Sequence, residues 1–355
     1  MNYMFLAIRF LAATILILGF VPAVAQIGGS STYQFLNLTS SARLASLGGK
    51  MVPVLDDDPN LVFGNPAVLN PGMHKHLTLS GVKYFADINY GYAGYAHHIQ
   101  KLGTFSAAMH YVNYGDFDET DITGQKLGEF NAAEYSLNLA YSRSLYDSAF
   151  TVGAALKTIY SSLESYTSFG MAVDLGANYY LEKPMLNLSL VARNIGTQIT
   201  YYTEDNNEPL PFDIQLGVSK KLAKAPFRLS LVLHNLQKFD LTYRDPAKAD
   251  ETDPITGEST EEKITTGDKI LSHVIIGTEV LLSKNFHVRA GYNFQRRREL
   301  GIESRMSTVG LSWGFGFRIS KFHISYGRAT YHLAGASNHF SISTNFSDFI
   351  RKSAD

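Results

Sequence analysis

Apolar and polar residues alternate with a period of two along most of this chain. From Tyr135 to Ser142, Tyr135, Leu137, Leu139 and Tyr141 share one face, while Ser136, Asn138, Ala140 and Ser142 share the other. Successive side chains of a strand point to opposite sides, so each such stretch reads as a strand with one apolar and one small or polar face. The pattern recurs at Phe212–Ser219, Phe227–His234, Phe286–Phe294, Val309–Arg318 and His339–Phe346. Fourteen strands follow, near 76–84, 89–99, 103–113, 133–144, 149–160, 168–180, 185–194, 211–221, 226–236, 271–283, 286–295, 305–317, 322–331 and 338–346.

Two architectures share this alternation. A soluble sandwich buries the apolar face in a core, and an outer-membrane barrel turns it to lipid and keeps the polar face inside. Strands of about 9 to 12 residues suit a tilted bilayer crossing and are long for a soluble sheet. Tyr and Phe gather at their ends, as in interfacial girdles. The connections also alternate. One set is short, around 100–101, 146–147, 182–184, 223–225, 284–285 and 319–321. The other set, 114–132, 161–167, 195–210, 237–270, 296–304 and 332–337, is longer, with 85–88 the short exception. Short turns lie at the periplasm and long loops outside. The expected fold is therefore all-β, a fourteen-stranded antiparallel transmembrane β-barrel spanning 76–346.

The chain's start agrees. Met1 to Ala25 carries Arg9, an apolar run from Phe10 to Val24 and the small-residue ending Ala23-Val24-Ala25. This is a signal-peptide pattern, and the run is too short for an uncleaved spanning anchor. The last strand closes on Phe346, an aromatic end of the kind barrel-assembly machinery recognises. Residues 347–355 then form a periplasmic tail.

Residues 26–75 lack a long alternating run. Ser40 to Gly49 predicts a short helix, capped by Ser40 or Ser41 and stopped by Gly48-Gly49. The following stretch, DDDPNLVFGNPAVLN from Asp56 to Asn70, mixes proline and Asx turns with apolar residues that need burial. A fourteen-strand barrel has a lumen to fill, and irregular backbone at membrane depth must be enclosed by protein. The segment is expected to be a plug. Its Asp56-Asp57-Asp58 run would pair with inward Arg193, Arg228, Arg289 or Arg318. A periplasmic arm is the bland alternative, disfavoured by the apolar content.

Composition narrows the function. The chain has no cysteine, so no disulfide, thiol nucleophile or cysteine-borne lipid anchor is available. A formal net charge of −1 argues against a nucleic-acid partner. No nucleophile elbow or zinc-protease helix occurs. His97 and His98 are adjacent on a strand and face opposite ways, and the Asp triplet lacks the glycine and terminal glutamate of a calcium loop. No enzyme, metal or cofactor is expected. Two charged groups stand out at the outer end. Loop 237–270 holds Asp245, Asp250, Glu251, Asp253, Glu258, Glu261 and Glu262, which could steer a cationic partner or simply be solvated. Arg296, Arg297 and Arg298 could meet lipopolysaccharide phosphates or form a plain basic girdle.

The stretch YQFLNLTSSARLASLGGKMVPVLDDDPNLVFGNPAVLN, Tyr33 to Asn70, resembles the N-terminal signature of the PorV/PorQ family of Bacteroidetes, a branch of the FadL-like outer-membrane barrels. Its Phe35–Arg43 start is most like the PorQ branch, and Asn65-Pro66-Ala67 is shared with FadL-type proteins generally. Arg43, Gly48, Gly49, Asp56, Asp57, Asn65, Pro66 and Ala67 are the positions carried over as a plug motif. The resemblance implies membership of the type IX secretion system, with PorZ, PorU and PorV as partners in a surface attachment complex. The runner-up is a FadL-like transporter of hydrophobic small molecules, helped by a kinked strand such as the Gly-rich one holding Gly310, Gly314 and Gly316.

Overall fold

The computed structural model describes residues 31–84, 88–145, 149–204, 207–242, 264–300, 308–332 and 335–349. The stretch expected to be a signal peptide, Met1 to Ala25, lies outside them.

Fourteen antiparallel strands close into one barrel. They are β1 (His76–Lys83), β2 (Asn89–Ile99), β3 (Gly103–Thr120), β4 (Lys126–Leu145), β5 (Phe150–Leu163), β6 (Tyr166–Leu181) and β7 (Leu186–Thr200). The second half comprises β8 (Asp213–Lys221), β9 (Phe227–Leu233), β10 (Val274–Val280), β11 (Phe286–Asn293), β12 (Leu311–Ile319), β13 (Phe322–His332) and β14 (Gly335–Asn345). Each strand pairs with its neighbours in sequence, and β1 pairs with β14 from His76↔Asn345 to Lys83↔Asn338. Closure removes the sheet edge, leaving no row of unpaired backbone groups to face hydrocarbon.

The packing is inside out relative to a soluble sheet. On β4, Leu137 and Leu139 are 47% and 50% exposed, whereas Ser136 and Ser142 are 0% and 1% exposed. The exposed apolar residues circle the outside, and the buried polar ones line the lumen. Leu139→Arg, near the middle of β4, is therefore expected to cost about 2–4 kcal/mol, the midplane penalty for a cationic side chain. Denaturant unfolding from liposomes measures it, and an unchanged midpoint would contradict a lipid-facing Leu139.

All fourteen expected strands are present, but the loops differ from expectation. Loop 114–132 is mostly hairpin: β3 and β4 run on to a turn at 121–125, where Asp121 Oδ1 accepts the N–H groups of Thr123 and Gln125 at 2.8 and 2.9 Å. A register shift between Asn113 and Asp116, at Gly115 with φ +89°, bends β3 there. Beyond the bilayer the ladder faces water on both sides, so the alternation that marks a membrane strand is no longer required. Loop 161–167 contracts to residues 164–165. β7 continues to Thr200 through an irregularity at Asn194, whose φ is 57°. The first residues expected in strand ten, 271–272, instead end a helix, Thr266–Ser272. The tail starts with a 3-10 turn, Phe346–Phe349, held by an Arg318–Asp348 ion pair at 3.2 Å and by Lys321 above the Phe349 ring.

Residues 31–75 lie against the inward faces of strands all around the barrel, and are enclosed by it. Helix α1 (Ala42–Ser46) begins at Ser41, whose side chain accepts the Leu44 N–H, and ends at Gly48 and Gly49 with φ +97° and +100°. It packs on β11 to β14. Leu44, Leu47, Met51, Val54, Leu61, Val68 and Met73 form one cluster with the small wall residues Ala96, Ala140 and Ala155 and with Val191, Val232 and Ile275. The hydrophobic core thus sits within the lumen.

The turn-rich stretch has a repeated construction. Asp58-Pro59, Asn65-Pro66 and Asn70-Pro71 each open a one-turn 3-10 helix. In each, the Asx side chain accepts the N–H two residues on, from Asn60, Ala67 and Gly72, at 3.0, 2.9 and 2.8 Å. Proline suits the first helical position because that N–H would be orphaned anyway. Three such turns let apolar residues face outward to the wall while the backbone satisfies itself.

Candidate functional site

The densest chemistry in the described residues is an ionic clamp between the enclosed segment and three adjacent strands. Arg228 on β9, Glu279 on β10 and Arg289 on β11 stand directly opposite one another in register. All three point inward. Glu279 Oε2 accepts from Arg228 Nη1 at 2.7 Å, and Oε1 accepts from Arg289 Nε at 3.0 Å. One carboxylate between two guanidiniums leaves a positive excess. The segment supplies the balance. Asp56 Oδ2 lies 2.9 Å from Arg228 Nη1 and 2.6 Å from Arg43 Nη2. Arg43, on α1, also reaches Asp58 at 2.9 Å and donates through Nε to Glu279 at 3.0 Å.

Three arginines and three carboxylates therefore share one site. The side chains of Glu279 and Arg289 are each 1% exposed, and that of Arg43 is 6% exposed. Charges this deep are tolerable only when paired and hydrogen-bonded. Arg43 is the hub because a guanidinium offers five donors in a fixed fork, enough for three carboxylates.

Burial alone would push the Asp56 carboxyl up, but Arg43 and Arg228 outweigh it and hold Asp56 well below the usual carboxylate range. Its contribution to seating the segment is then fully present above about pH 4, and is lost only as pH falls through the depressed value. Bilayer conductance is expected to stay unchanged from about pH 8 to about pH 5. Opening of the lumen at the upper end of that range would contradict the clamp.

Three further contacts tie the segment down. Lys50 Nζ meets Asp213 Oδ2, at the start of β8, at 2.6 Å. Phe63 lies against a second buried group in which Lys157 pairs with Asp174 at 2.6 Å. Lys157 Nζ and Arg193 Cζ stand 5.2 and 5.3 Å from the Phe63 ring centre, a cation–π arrangement. Asn65 bridges segment and wall, donating from Nδ2 to Val52 O and to Asn178 Oδ1 at 2.9 and 3.0 Å.

Of the arginines expected to meet the Asp triplet, only Arg228 does so directly. Arg289 reaches it through Glu279. Arg193 faces Asp174 at 3.7 Å and donates to Leu36 O, and Arg318 pairs with Asp348 near the surface. Asp57 is exposed and outside the clamp. Pro66 and Ala67 press on the wall at Gly153 of β5, and Gly48 lies beside Ile275. Glu279 was not singled out from sequence. An inward glutamate flanked in register by two inward arginines was the signal, and it needs the pairing of three strands.

The acidic residues Asp245, Asp250, Glu251, Asp253, Glu258, Glu261 and Glu262 lie outside the described residues. The described part of their loop includes α2 (Thr266–Ser272), with a Thr265/Asp268 capping box. Arg296, Arg297 and Arg298, expected in the outer connection that follows strand eleven, lie in α3 (Phe294–Leu300). Arg298 pairs with Asp268 of α2 at 3.1 Å, and Arg296 reaches inward to Gly49. The Gly-rich strand β12 keeps an unshifted register with both neighbours, and its Gly314 and Gly316 make room for Ser46 and Arg289.

The fold is that of an outer-membrane β-barrel. No protein-family model matches the chain, and no curated protein matches it. Solved structures similar to it include the toluene transporter TodX of Pseudomonas putida, at 12% identity and a TM-score of 0.46, over 86% of this chain and 96% of that one. A FadL homologue of Pseudomonas aeruginosa aligns at 11% identity and a TM-score of 0.47, over 87% and 98%. The KdgM porin aligns at 7% identity and a TM-score of 0.32, over 76% and 99%.

Proposed function

We propose that this barrel is a membrane dock whose lumen is held shut by its own N-terminal plug, and that it serves the type IX secretion system. The observation that carries the reading is the clamp at Arg43, Asp56, Asp58, Arg228, Glu279 and Arg289. A plug meant to move would not be fastened by ion pairs to buried arginines and a buried glutamate, which are costly to break. A sealed barrel embedded in lipid gives the cell surface a fixed point and leaves its outer loops for a partner. The resemblance of Tyr33–Asn70 to the PorV/PorQ signature supplies the partner class, a surface attachment complex containing PorZ, PorU and PorV.

The acidic loop is the proposed docking element. Deleting 245–265 is expected to abolish partner retention in affinity purification from detergent-solubilised outer membranes, while the barrel keeps its heat-modifiable migration. Unchanged retention would reject this dock. The reading as a whole is tested by pairing that purification with single-channel recording. A dock gives a closed lumen and a co-purifying partner.

Transport of hydrophobic small molecules is the second reading. It is favoured by the irregularity between β6 and β7, where the register shifts between Val173 and Leu175 and Asn194 adopts a left-handed backbone. A break in the wall beside Phe63 is where a lateral exit would form. Uptake of a hydrophobic substrate by proteoliposomes, without a partner, would favour this reading over docking.

A further inference from the structure

Past the bilayer, β3 and β4 leave the barrel wall and stand as a two-stranded sheet of their own. β2 pairs with β3 only as far as Asn89↔Asn113, and β5 pairs with β4 only as far as Ala132↔Leu163. From Asp116↔Asn131 to Thr120↔Lys126 the two strands pair with each other and, among the described residues, with no third strand. Each therefore presents one free edge of backbone N–H and C=O groups, a template for another strand. The edge stands clear of lipid. Tyr111, Tyr135 and Tyr160 form an aromatic row in register across β3, β4 and β5, of the kind that marks the bilayer boundary. Phe117 lies about 20 Å further along β3 at roughly 3.3 Å per residue.

The side chains say which strand this edge accepts. Asp116 and Asp118 share one face of the hairpin with Asn131 and Glu129. Phe117 is on the other, stacked on Phe130 with ring centres 5.3 Å apart and planes 18° apart, and remains 42% exposed. From Tyr114 to Asn131 there are five carboxylates and one cation, Lys126. Lys126 meets Asp118 and Glu129 at 2.6 and 2.5 Å, and among the described residues no ion pair reaches Asp116 or Glu119. Residues directly opposite one another on paired strands stabilise the pair when their charges are opposite, or when an aromatic ring meets a β-branched side chain. Like charges there destabilise it. A second copy of this edge would set carboxylate against carboxylate. The complementary strand has cationic residues at alternate positions, to meet Asp116 and Asp118, and β-branched ones between them, to meet Phe117. The edge is also formed in advance. Asp121 caps the turn, and Asn131 Nδ2 ties the bulge by donating to Gly115 O and Asp116 Oδ1, each at 3.1 Å, so little ordering remains to oppose binding.

We infer that the β3 edge of this hairpin, 114–120, binds a basic, extended segment of a partner protein as an added strand outside the membrane. The backbone ladder holds the segment, and the carboxylates set its register and exclude a second copy. The inference rests on the hairpin and the outer-membrane fold, and not on the acidic loop or the type IX role.

The test uses the full-length barrel in phosphatidylcholine nanodiscs. The probe is a fluorescein-labelled peptide of alternating Lys and Thr, about eight residues long to match the free edge, and the readout is anisotropy. Asp116→Asn/Asp118→Asn/Glu119→Gln is expected to weaken binding by about tenfold or more. A peptide of alternating Lys and Pro carries the same charge but lacks half the ladder donors, and is expected to bind the native barrel about tenfold more weakly or worse. Deleting 245–265, which removes the other acidic group, is expected to leave binding of the Lys–Thr peptide unchanged. Heat-modifiable migration checks that both variants are closed barrels. Undiminished binding by the triple variant, equal binding of the two peptides, or loss of binding on the deletion overturns the site. Self-association of the native barrel that the triple variant abolishes, read by analytical ultracentrifugation, would give the edge to a second copy and overturn the basic partner.

Discussion

Replacing Glu279 by alanine is expected to open the lumen. The side chain accepts hydrogen bonds from Arg43, Arg228 and Arg289. Its loss leaves Arg289 with only a 3.4 Å contact to Ser325 Oγ, and leaves Asp56 and Asp58 to neutralise three buried guanidiniums. Removing one partner from a buried ion pair costs about 3–5 kcal/mol, because the remaining charge stays desolvated. The interstrand hydrogen bonds do not depend on Glu279, so the barrel persists and the plug yields. Shifting the seating equilibrium by that amount changes the open population by about two to three orders of magnitude. Planar-bilayer recording should show open-channel steps in Glu279→Ala where the native protein is silent. Glu279→Gln keeps the volume and one acceptor, and is expected to be milder. A double-mutant cycle with Arg43→Met measures how much of the effect passes between plug and wall. A closed, native-like Glu279→Ala would refute the clamp as the device that seats the plug.

The second large effect is steric. A Cβ on Gly153 would sit 2.5 Å from Pro66 C and 2.6 Å from Ala67 N, and one on Gly291 would sit 2.3 Å from Leu47 C and 2.4 Å from Gly48 N. The obstacles are backbone atoms of capped turns, which cannot rotate aside as a side chain can. Overpacking in a tight core typically costs about 1–3 kcal/mol, and more where no rotamer relieves it. Gly153→Val and Gly291→Val should therefore expel their stretches of plug, read as new protease cleavage within 40–75 and as conductance. Gly81→Val is the matched control. Gly81 lies on β1 with nothing within 4 Å of an added Cβ, and its substitution should leave the plug protected. Equal protection in all three variants would show that the plug does not press on the wall at these points.

Much of the fold was legible because the bilayer imposes a local rule. Lipid on one side and lumen on the other force alternation at every crossing, so β4 could be read from Tyr135–Ser142 alone. The same reasoning failed where the rule stops. β3 and β4 continue past the membrane as a hairpin in water, and Asp116, Asp118 and Glu129 in that hairpin carry no membrane signal. Helices α2 and α3 lie at the outer rim, where loop and strand had been expected. The short helix at Ala42–Ser46 was visible from its serine cap and paired glycines, because capping is also a local rule.

The clamp shows what local rules omit. Sequence established that Asp56 and the arginines at 228 and 289 belonged to the interior, since the plug is rich in turns and the arginines alternate with lipid-facing residues. It could not select Arg228 over Arg193 or Arg318, or name Glu279 as the carboxylate between them. Those choices follow from the register of β9, β10 and β11, and from the height at which α1 docks. Closure of the barrel fixes both. Periodicity tells which way a side chain points, and a pattern of nearest neighbours along the chain carries that much. Which charges then meet across the lumen depends on residues more than 200 positions apart, and only a closed ring of strands, with the plug packed inside it, brings Arg43 to Glu279.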